Sequence, residues 1–121
     1  QLHRIAIIND DALVSIAIAL LIEEDPRVEV SWLFRNDTEG IGAWTSSGGA
    51  QQPDAIVFDT EIASGHIDTT RNLRAACPDA VLALYTSTAS DLAALRAAGV
   101  DLVFVQADDP RRFRDDLITH L

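Results

Sequence analysis

The chain has 121 residues, 48% of them apolar, which is enough for one hydrophobic core and too few for two. Nine positive residues against nineteen acidic ones give a net charge of −10, which argues against a nucleic-acid groove or an anionic membrane surface within this chain. All nine positive residues are arginine, and lysine is absent. The single cysteine, Cys77, excludes an internal disulfide. The longest apolar stretch, Ala12–Ile22, is too short to span a bilayer, so we expect a soluble cytoplasmic domain.

Short apolar runs alternate with helical patterns along the whole chain. Asp25-Pro26 ends the first helical pattern, Gly99 ends the fourth, and Pro110 suits the first turn of the last. In chain order we predict strand Arg4–Ile8, helix Ala12–Glu24, strand Val28–Phe34, helix Asp37–Thr45, strand Ala55–Phe58, helix Asp68–Ala76, strand Ala80–Tyr85, helix Ser90–Ala98, strand Leu102–Val105 and helix Pro110–His120.

The predicted strands are continuous apolar runs rather than alternating ones, which is typical of parallel strands buried on both faces. We therefore predict an α/β fold: a doubly wound, flavodoxin-like (βα)5 three-layer sandwich with the parallel strand order 2-1-3-4-5. One domain occupies residues 1–121. Because the chain starts with Gln rather than Met, we expect it to be a fragment of a longer protein, and we take it as the N-terminal part of that protein.

In this architecture ligands bind at the carboxyl ends of the strands, where the winding direction switches between the first and third strands. Asn9, Asp10 and Asp11 follow the first strand, and Asp59 follows the third. Two carboxylates about 4 Å apart repel by about 4 kcal/mol at an effective dielectric near 20, so such a cluster favours a bound cation. Mg²⁺ suits one or two carboxylates plus water. The alternative is that Asp10 or Asp11 caps the first helix and Asp59 only starts a loop.

Thr86 ends the fourth predicted strand, next to the third in the predicted order. Its hydroxyl is placed to donate to a group carried by Asp59. The alternative is that residues 86–88 form an ordinary polar loop with hydroxyl turns.

Four segments together resemble one known family. They are Ile-Ile-Asn-Asp-Asp-Ala-Leu-Val (7–14), Pro-Asp-Ala-Ile-Val-Phe-Asp (53–59), Pro-Asp-Ala-Val-Leu-Ala-Leu-Tyr-Thr (78–86) and Leu-Arg-Ala-Ala-Gly-Val (95–100). On these the whole chain resembles a response-regulator receiver domain, most closely those of NarL/LuxR-type two-component regulators. The resemblance implies a signalling domain that is not an enzyme, and that controls an attached output module, expected to bind DNA.

The resemblance also implies roles for individual residues. Asp59 matches the aspartate that accepts a phosphoryl group from a histidine kinase or phosphotransfer protein, and Thr86 matches the switch hydroxyl. The implied Mg²⁺ ligands are Asp59, Asp10, its companion Asn9 or Asp11, and the main-chain carbonyl of Glu61.

The chain departs from the family pattern at four places. Asn9 stands for the first of two acids, the usual Met-Pro is missing after Asp59, and Val103 stands at an aromatic position. Gln106 stands for the lysine that pairs with the acceptor, and with no lysine in the chain no realignment restores it. A neutral hydrogen bond from Gln106 contributes about 1 kcal/mol, where a charge-assisted bond contributes roughly 1.5–3 kcal/mol, so the switch is weakened.

Two mechanisms therefore stay open. One is Mg²⁺-dependent phosphorylation of Asp59 with a weakened relay. The other is a phosphorylation-independent pseudo-receiver that acts by homodimerisation or by binding a small ligand. From other classes, a Mg²⁺-dependent aspartyl phosphatase is disfavoured, because such an enzyme needs a second Asp two residues after its nucleophile and a Lys. A purely structural interaction domain predicts no metal binding.

Two further residues carry expectations. The first helix is apolar on nearly all sides, and Ile16 lies where receivers usually have a charged residue, so we predict that Ile16 belongs to a partner or dimer contact. His66 falls in the loop after the third strand and is expected to be a solvated loop residue.

Overall fold

The chain folds into five strands and five helices in strict alternation. A computed structural model describes residues 2–48, 51–59, 65–87, 91–106 and 109–121. The elements are β1 (His3–Ile8), α1 (Ala12–Ile22), β2 (Val28–Phe34), α2 (Asp37–Ser46), β3 (Ala55–Phe58), α3 (His66–Ala76), β4 (Val81–Thr86), α4 (Leu92–Ala98), β5 (Leu102–Val105) and α5 (Pro110–Thr119).

All neighbouring strands pair in parallel, in the order β2-β1-β3-β4-β5. The predicted fold class and strand order are confirmed. β1 and β3 are interior strands, with β3 in the middle, and the last four residues of β1 and all four residues of β3 are buried. This burial on both faces explains why their sequences are continuous apolar runs.

The sheet divides the hydrophobic core of this one domain into two clusters. One lies beneath α1 and α5 and contains Ile18, Ile22, Phe104, Phe113 and Leu117. The other lies beneath α2, α3 and α4 and contains Trp44, Phe58, Leu73, Cys77 and Leu95. The helices therefore form the two outer layers of a three-layer sandwich.

Acidic and amide side chains start four of the five helices. Asn36 caps α2 by accepting a 2.9 Å hydrogen bond from the Glu39 amide, and Asp91 and Asp109 cap α4 and α5 in the same way. Part of the acidic composition is thus explained by helix capping. At the other end of α4, Gly99 has φ +121°, a conformation that L side chains rarely adopt.

The element boundaries differ from the prediction by one or two residues. α1 ends at Ile22 rather than Glu24, and α3 begins at His66 rather than Asp68. Ser90, the predicted start of α4, lies outside the described residues, and the helix itself begins at Leu92.

In the described part of the chain, no helix combines the length and apolarity that crossing a membrane requires.

We predict a low pKa for Asp25, in the turn between α1 and β2. The Arg27 side chain and backbone amide both donate to its carboxylate, at 2.7–3.0 Å, and lower the pKa of Asp25 from 3.8 to about 2. Because the folded-state pKa is the lower one, this carboxylate stabilises the fold above its ordinary pKa. That contribution disappears as the pH falls through about 2.

A carboxyl-carbon NMR titration checks the Asp25 prediction. In Arg27→Ala we expect the pKa of Asp25 to rise part of the way back toward 3.8, because the side-chain hydrogen bonds are lost whereas the backbone amide of residue 27 still donates. Arg71→Ala, which removes an exposed arginine elsewhere, serves as the control and leaves the titration unchanged. A normal pKa in the unmodified protein contradicts the prediction.

Candidate functional site

The carboxyl ends of the two central strands lie side by side. Ile8 of β1 pairs with Phe58 of β3, and the next amide, that of Asp59, donates a 3.0 Å hydrogen bond to the Ile8 carbonyl. The Asn9 amide donates to Phe34 on the other neighbouring strand, at 2.9 Å. Asn9 and Asp59 therefore leave the sheet together at the point where the winding direction switches, where doubly wound folds bind ligands.

The ends of β4 and β5 extend the same edge. Thr86 is buried and pairs with Val105, and the Gln106 amide donates a 2.8 Å hydrogen bond to the Thr86 carbonyl. The Gln106 side chain is exposed. The backbone at this corner is therefore held by the sheet, whereas the residue at the position of the family lysine lies at the surface.

His66 is the residue at this edge that the sequence analysis missed. Its side chain is buried, and its Nε2 lies 3.0 Å from Oδ1 of Asp59. The expectation of a solvated loop residue is wrong, because α3 starts two residues earlier than predicted and takes His66 into its buried face. That face comprises His66, Thr69, Thr70 and Leu73, which follow the i, i+3, i+4, i+7 spacing of a helix. Extending the helical pattern backward from Leu73 would have found it.

The three residues after β1 have separate tasks. Asp11 caps α1, because its Oδ1 accepts from the amides of Leu13 (3.0 Å) and Val14 (3.3 Å). Asn9 is buried, and its Oδ1 accepts from the Asp11 amide at 2.9 Å. Asp10 is exposed and makes no hydrogen bond or ion pair within the described residues. At Asp11 the structure therefore agrees with the alternative in which this residue caps the first helix.

The donors for a divalent cation are fewer than the sequence suggested. Within the described ranges no group of three or more His, Cys, Asp or Glu side chains is placed to hold a metal ion. Glu61 lies outside the described residues. At this edge, exposed Asp10 and Asp59, whose Oδ1 contacts His66, supply two carboxylates, and Mg²⁺ accepts sites of one or two carboxylates completed by water. In donor chemistry these residues fit Mg²⁺.

The capping role of Asp11 predicts the effect of two substitutions. Asp11→Ala removes the acceptor for two α1 amides and is expected to lower the free energy of unfolding by about 0.5–2 kcal/mol. Asp11→Asn keeps an acceptor and is expected to stay close to the wild type. Urea denaturation measures both, with the neighbouring Asp10→Ala as control. Equal losses in Asp10→Ala and Asp11→Ala would show that capping is not the cause.

Sequence comparison gives one distant curated relative. No family model matches the chain. A protein-glutamate methylesterase/protein-glutamine glutaminase of Geobacter sulfurreducens is 28% identical over 124 residues, covering 95% of this chain and 33% of the relative. The chain thus spans about a third of the length of that curated relative.

Comparison with solved structures is more decisive. A LuxR-family two-component response regulator from an Aurantimonas species superposes with a TM-score of 0.83 at 21% identity, over 99% of this chain and 85% of that one. The chain has the receiver-domain fold of response regulators. The resemblance predicted from the sequence is confirmed at the level of the fold.

Two other structures show how widely this receiver fold is used. The pilus assembly protein CpaE of Burkholderia thailandensis matches with a TM-score of 0.78 at 20% identity, over 98% of this chain and 97% of that one. The RcsB response regulator of Salmonella typhimurium, described in the context of DNA interaction, matches with a TM-score of 0.80 at 15% identity, over 96% of this chain and 60% of that one. The receiver fold alone therefore does not assign an output.

Proposed function

We propose that this chain is the receiver domain of a two-component response regulator and that Asp59 is its phospho-acceptor. The observation that carries the proposal is the position of Asp59 at the end of the central strand β3, beside Asn9 and on the same sheet edge as buried Thr86. Its side chain is 16% exposed, so the carboxylate is held by the protein and still reachable. The proposed role is regulatory rather than catalytic.

The proposed chemistry is transfer of a phosphoryl group to the Asp59 carboxylate. The bond from phosphorus to the donor, a phosphohistidine nitrogen of a kinase or phosphotransfer protein, breaks as a bond to a carboxylate oxygen forms. The product is a mixed anhydride with three phosphoryl oxygens at the sheet edge. The Thr86 hydroxyl is the donor that we assign to one of them.

Mg²⁺ belongs to the proposal as the cation that offsets the charge of carboxylate and phosphate. Asp10 and Asp59 are the carboxylates that would hold it, with Asn9 as an amide companion. Asp11 is excluded from our ligand set because its carboxylate caps α1. Glu61 remains the candidate for a further ligand through its main-chain carbonyl.

The test is an NMR titration with Mg²⁺ and beryllofluoride, a phosphoryl mimic, followed by mass spectrometry after treatment with a small phosphodonor. We expect amide shifts around residues 9–11, 59 and 86 and a mass increase of one phosphoryl group. Both are expected to vanish in Asp59→Asn, whereas Asp54→Asn, a control at the opposite end of β3, keeps them. A response that survives in Asp59→Asn would contradict the assignment.

A second candidate is a pseudo-receiver that works without phosphorylation, through homodimerisation or a small ligand. The observations that favour it are the amide of Asn9 at an acidic position and the exposed side chain of Gln106 at the lysine position. The same titration separates the two, because the pseudo-receiver predicts silence toward Mg²⁺ and beryllofluoride in a folded wild-type domain.

The proposed partner surface is the outer face of α1. Leu13, Ile16 and Leu20 are 78%, 48% and 67% exposed, respectively, and follow helical spacing, so they form one apolar stripe. We assign the kinase or phosphotransfer contact, or a homodimer contact, to this stripe. Ile16→Glu is expected to abolish the contact made by this stripe. If self-association and phosphotransfer are both unchanged in Ile16→Glu, the assignment is rejected. The exposed Leu92→Glu, on α4, is the matched control.

The remaining parts of the proposal concern the longer protein. We propose a DNA-binding output module attached to this domain and a cytoplasmic location. The support is the LuxR-type resemblance and the fold shared with RcsB, together with a buried, unpaired Cys77. With a net charge of −10, this domain itself is not expected to bind nucleic acid.

A further inference from the structure

The observation behind this inference is the buried contact between His66 and Asp59. The imidazole is 98% buried as a side chain, and Nε2 lies 3.0 Å from Oδ1 of Asp59. Nδ1, on the other side of the ring, has no hydrogen-bond partner among the described residues. A proton on Nε2 and none on Nδ1 satisfies this environment best, because a buried N–H without an acceptor is costly.

The backbone holds His66 at this place. His66 is the first residue of α3, and its carbonyl accepts a 2.6 Å hydrogen bond from the buried Thr70 hydroxyl one turn later. The ring therefore belongs to the folded helix. It reaches the end of β3 from the face covered by α3.

We propose that His66 is the positioning residue for the acceptor carboxylate and for the phosphoryl group placed on it, the task that Gln106 is too exposed to perform. This inference rests on the proposed phosphorylation of Asp59. In the unmodified protein Nε2–H orients the carboxylate through Oδ1. After modification the same N–H donates to a phosphoryl oxygen.

Both energy and geometry favour the transfer of this hydrogen bond to the phosphoryl group. Phosphorylation turns one carboxylate oxygen into the bridging oxygen of the mixed anhydride, which is a poor acceptor, and leaves the other as a carbonyl. Three phosphoryl oxygens then lie two bonds beyond the bridging oxygen's attachment to carbon. A buried Nε2–H that lost its acceptor would be penalised. Since it starts 3.0 Å from Oδ1, a phosphoryl oxygen is within its reach, and a hydrogen bond to that charged oxygen is stronger than one to a neutral acceptor.

The first test is nitrogen-15 NMR of the three histidine rings. We expect His66 to carry a slowly exchanging proton on Nε2, unlike exposed His120 in the same spectrum. On addition of Mg²⁺ and beryllofluoride the Nε2–H resonance is expected to persist and to shift, because its acceptor changes. A His66 proton on Nδ1, or an Nε2–H resonance that does not move when the amides around Asp59 do, would overturn the inference.

The second test is the affinity for beryllofluoride in the presence of Mg²⁺. His66→Leu, which keeps an apolar group of similar size but has no donor, is expected to bind about ten- to a hundredfold more weakly. His66→Gln retains a donor and is expected to recover part of the affinity, which a purely structural role would not predict. His120→Leu is the matched control at an exposed histidine and binds like the wild type. Circular dichroism confirms that each variant is folded.

The outcomes separate this inference from the proposed function. If the wild type responds to beryllofluoride and both His66→Leu and His66→Gln bind it as tightly as the wild type does, the inference alone is contradicted. A folded wild type that gives no response contradicts the phospho-acceptor proposal and the inference with it. The proton position on His66 in the ligand-free protein is then still a direct test of the His66–Asp59 contact.

Discussion

Phe113→Ala is expected to lower the free energy of unfolding by about 3–5 kcal/mol. Phe113 of α5 is fully buried. The centroid of its ring lies 4.8 Å from the ring centroid of Tyr85 and 4.9 Å from that of Phe104. Truncation leaves a cavity between α5 and the strands β4 and β5, where the neighbouring rings cannot collapse without moving the sheet. Urea denaturation, with an unchanged slope, measures the loss.

The matched control for Phe113→Ala is Leu13→Ala. Leu13 is 78% exposed on α1, so its truncation is expected to change stability by no more than about 0.5 kcal/mol. Similar losses in the two variants would show that the described core does not carry the stability of the domain.

Arg74→Lys is expected to cost about 2–3 kcal/mol of stability, despite conserving the charge. The guanidinium of Arg74 donates at 2.6–2.9 Å to four acceptors that belong to different segments, namely the carbonyls of Pro78, Ala80 and Gly99 and the carboxylate of Asp101. It thereby joins α3 to the start of β4 and to the turn between α4 and β5. An ammonium has no planar fork, so several of these acceptors lose their partner.

Arg71→Lys, three residues earlier on the exposed face of α3, is the control for Arg74→Lys. Among the residues that the structure describes, Arg71 contacts a charged partner only in a 3.9 Å ion pair with Asp68, and both side chains are largely exposed. Its replacement is expected to leave the urea midpoint nearly unchanged. A midpoint that also stays unchanged in Arg74→Lys would contradict the joining role.

The fold was predictable because its signals are local and redundant. Continuous apolar runs such as Ile5–Ile8 identify strands buried on both faces, and Gly99 and Pro110 mark helix ends by their backbone requirements. Alternating β and α elements leave two common strand orders for a doubly wound sheet, and the order 2-1-3-4-5 came with the flavodoxin-like fold class. The element boundaries were predicted less accurately, since the end of α1 and the start of α3 depend on tertiary packing.

The candidate site was predictable only in part. The strand ends alone place Asn9, Asp59 and Thr86 on one edge. The sequence could not decide whether Asp11 caps the helix or faces a ligand, because one carboxylate suits both roles. Only the folded structure shows that it accepts from the α1 amides. The contact of His66 with Asp59 depends on where α3 begins. Because the helix was predicted to start at Asp68, two residues too late, His66 was assigned to a loop and not to the site.

Cys77 has a consequence for experiments on this protein. It is completely buried beside α3, and burial raises the pKa of its thiol, although the Arg74 guanidinium opposes part of that shift. Both effects of burial slow alkylation, since the thiolate is scarce and the reagent is kept out. As the sole thiol of the chain, Cys77 makes the rate of labelling in the native protein a direct measure of how often the core beneath α3 opens.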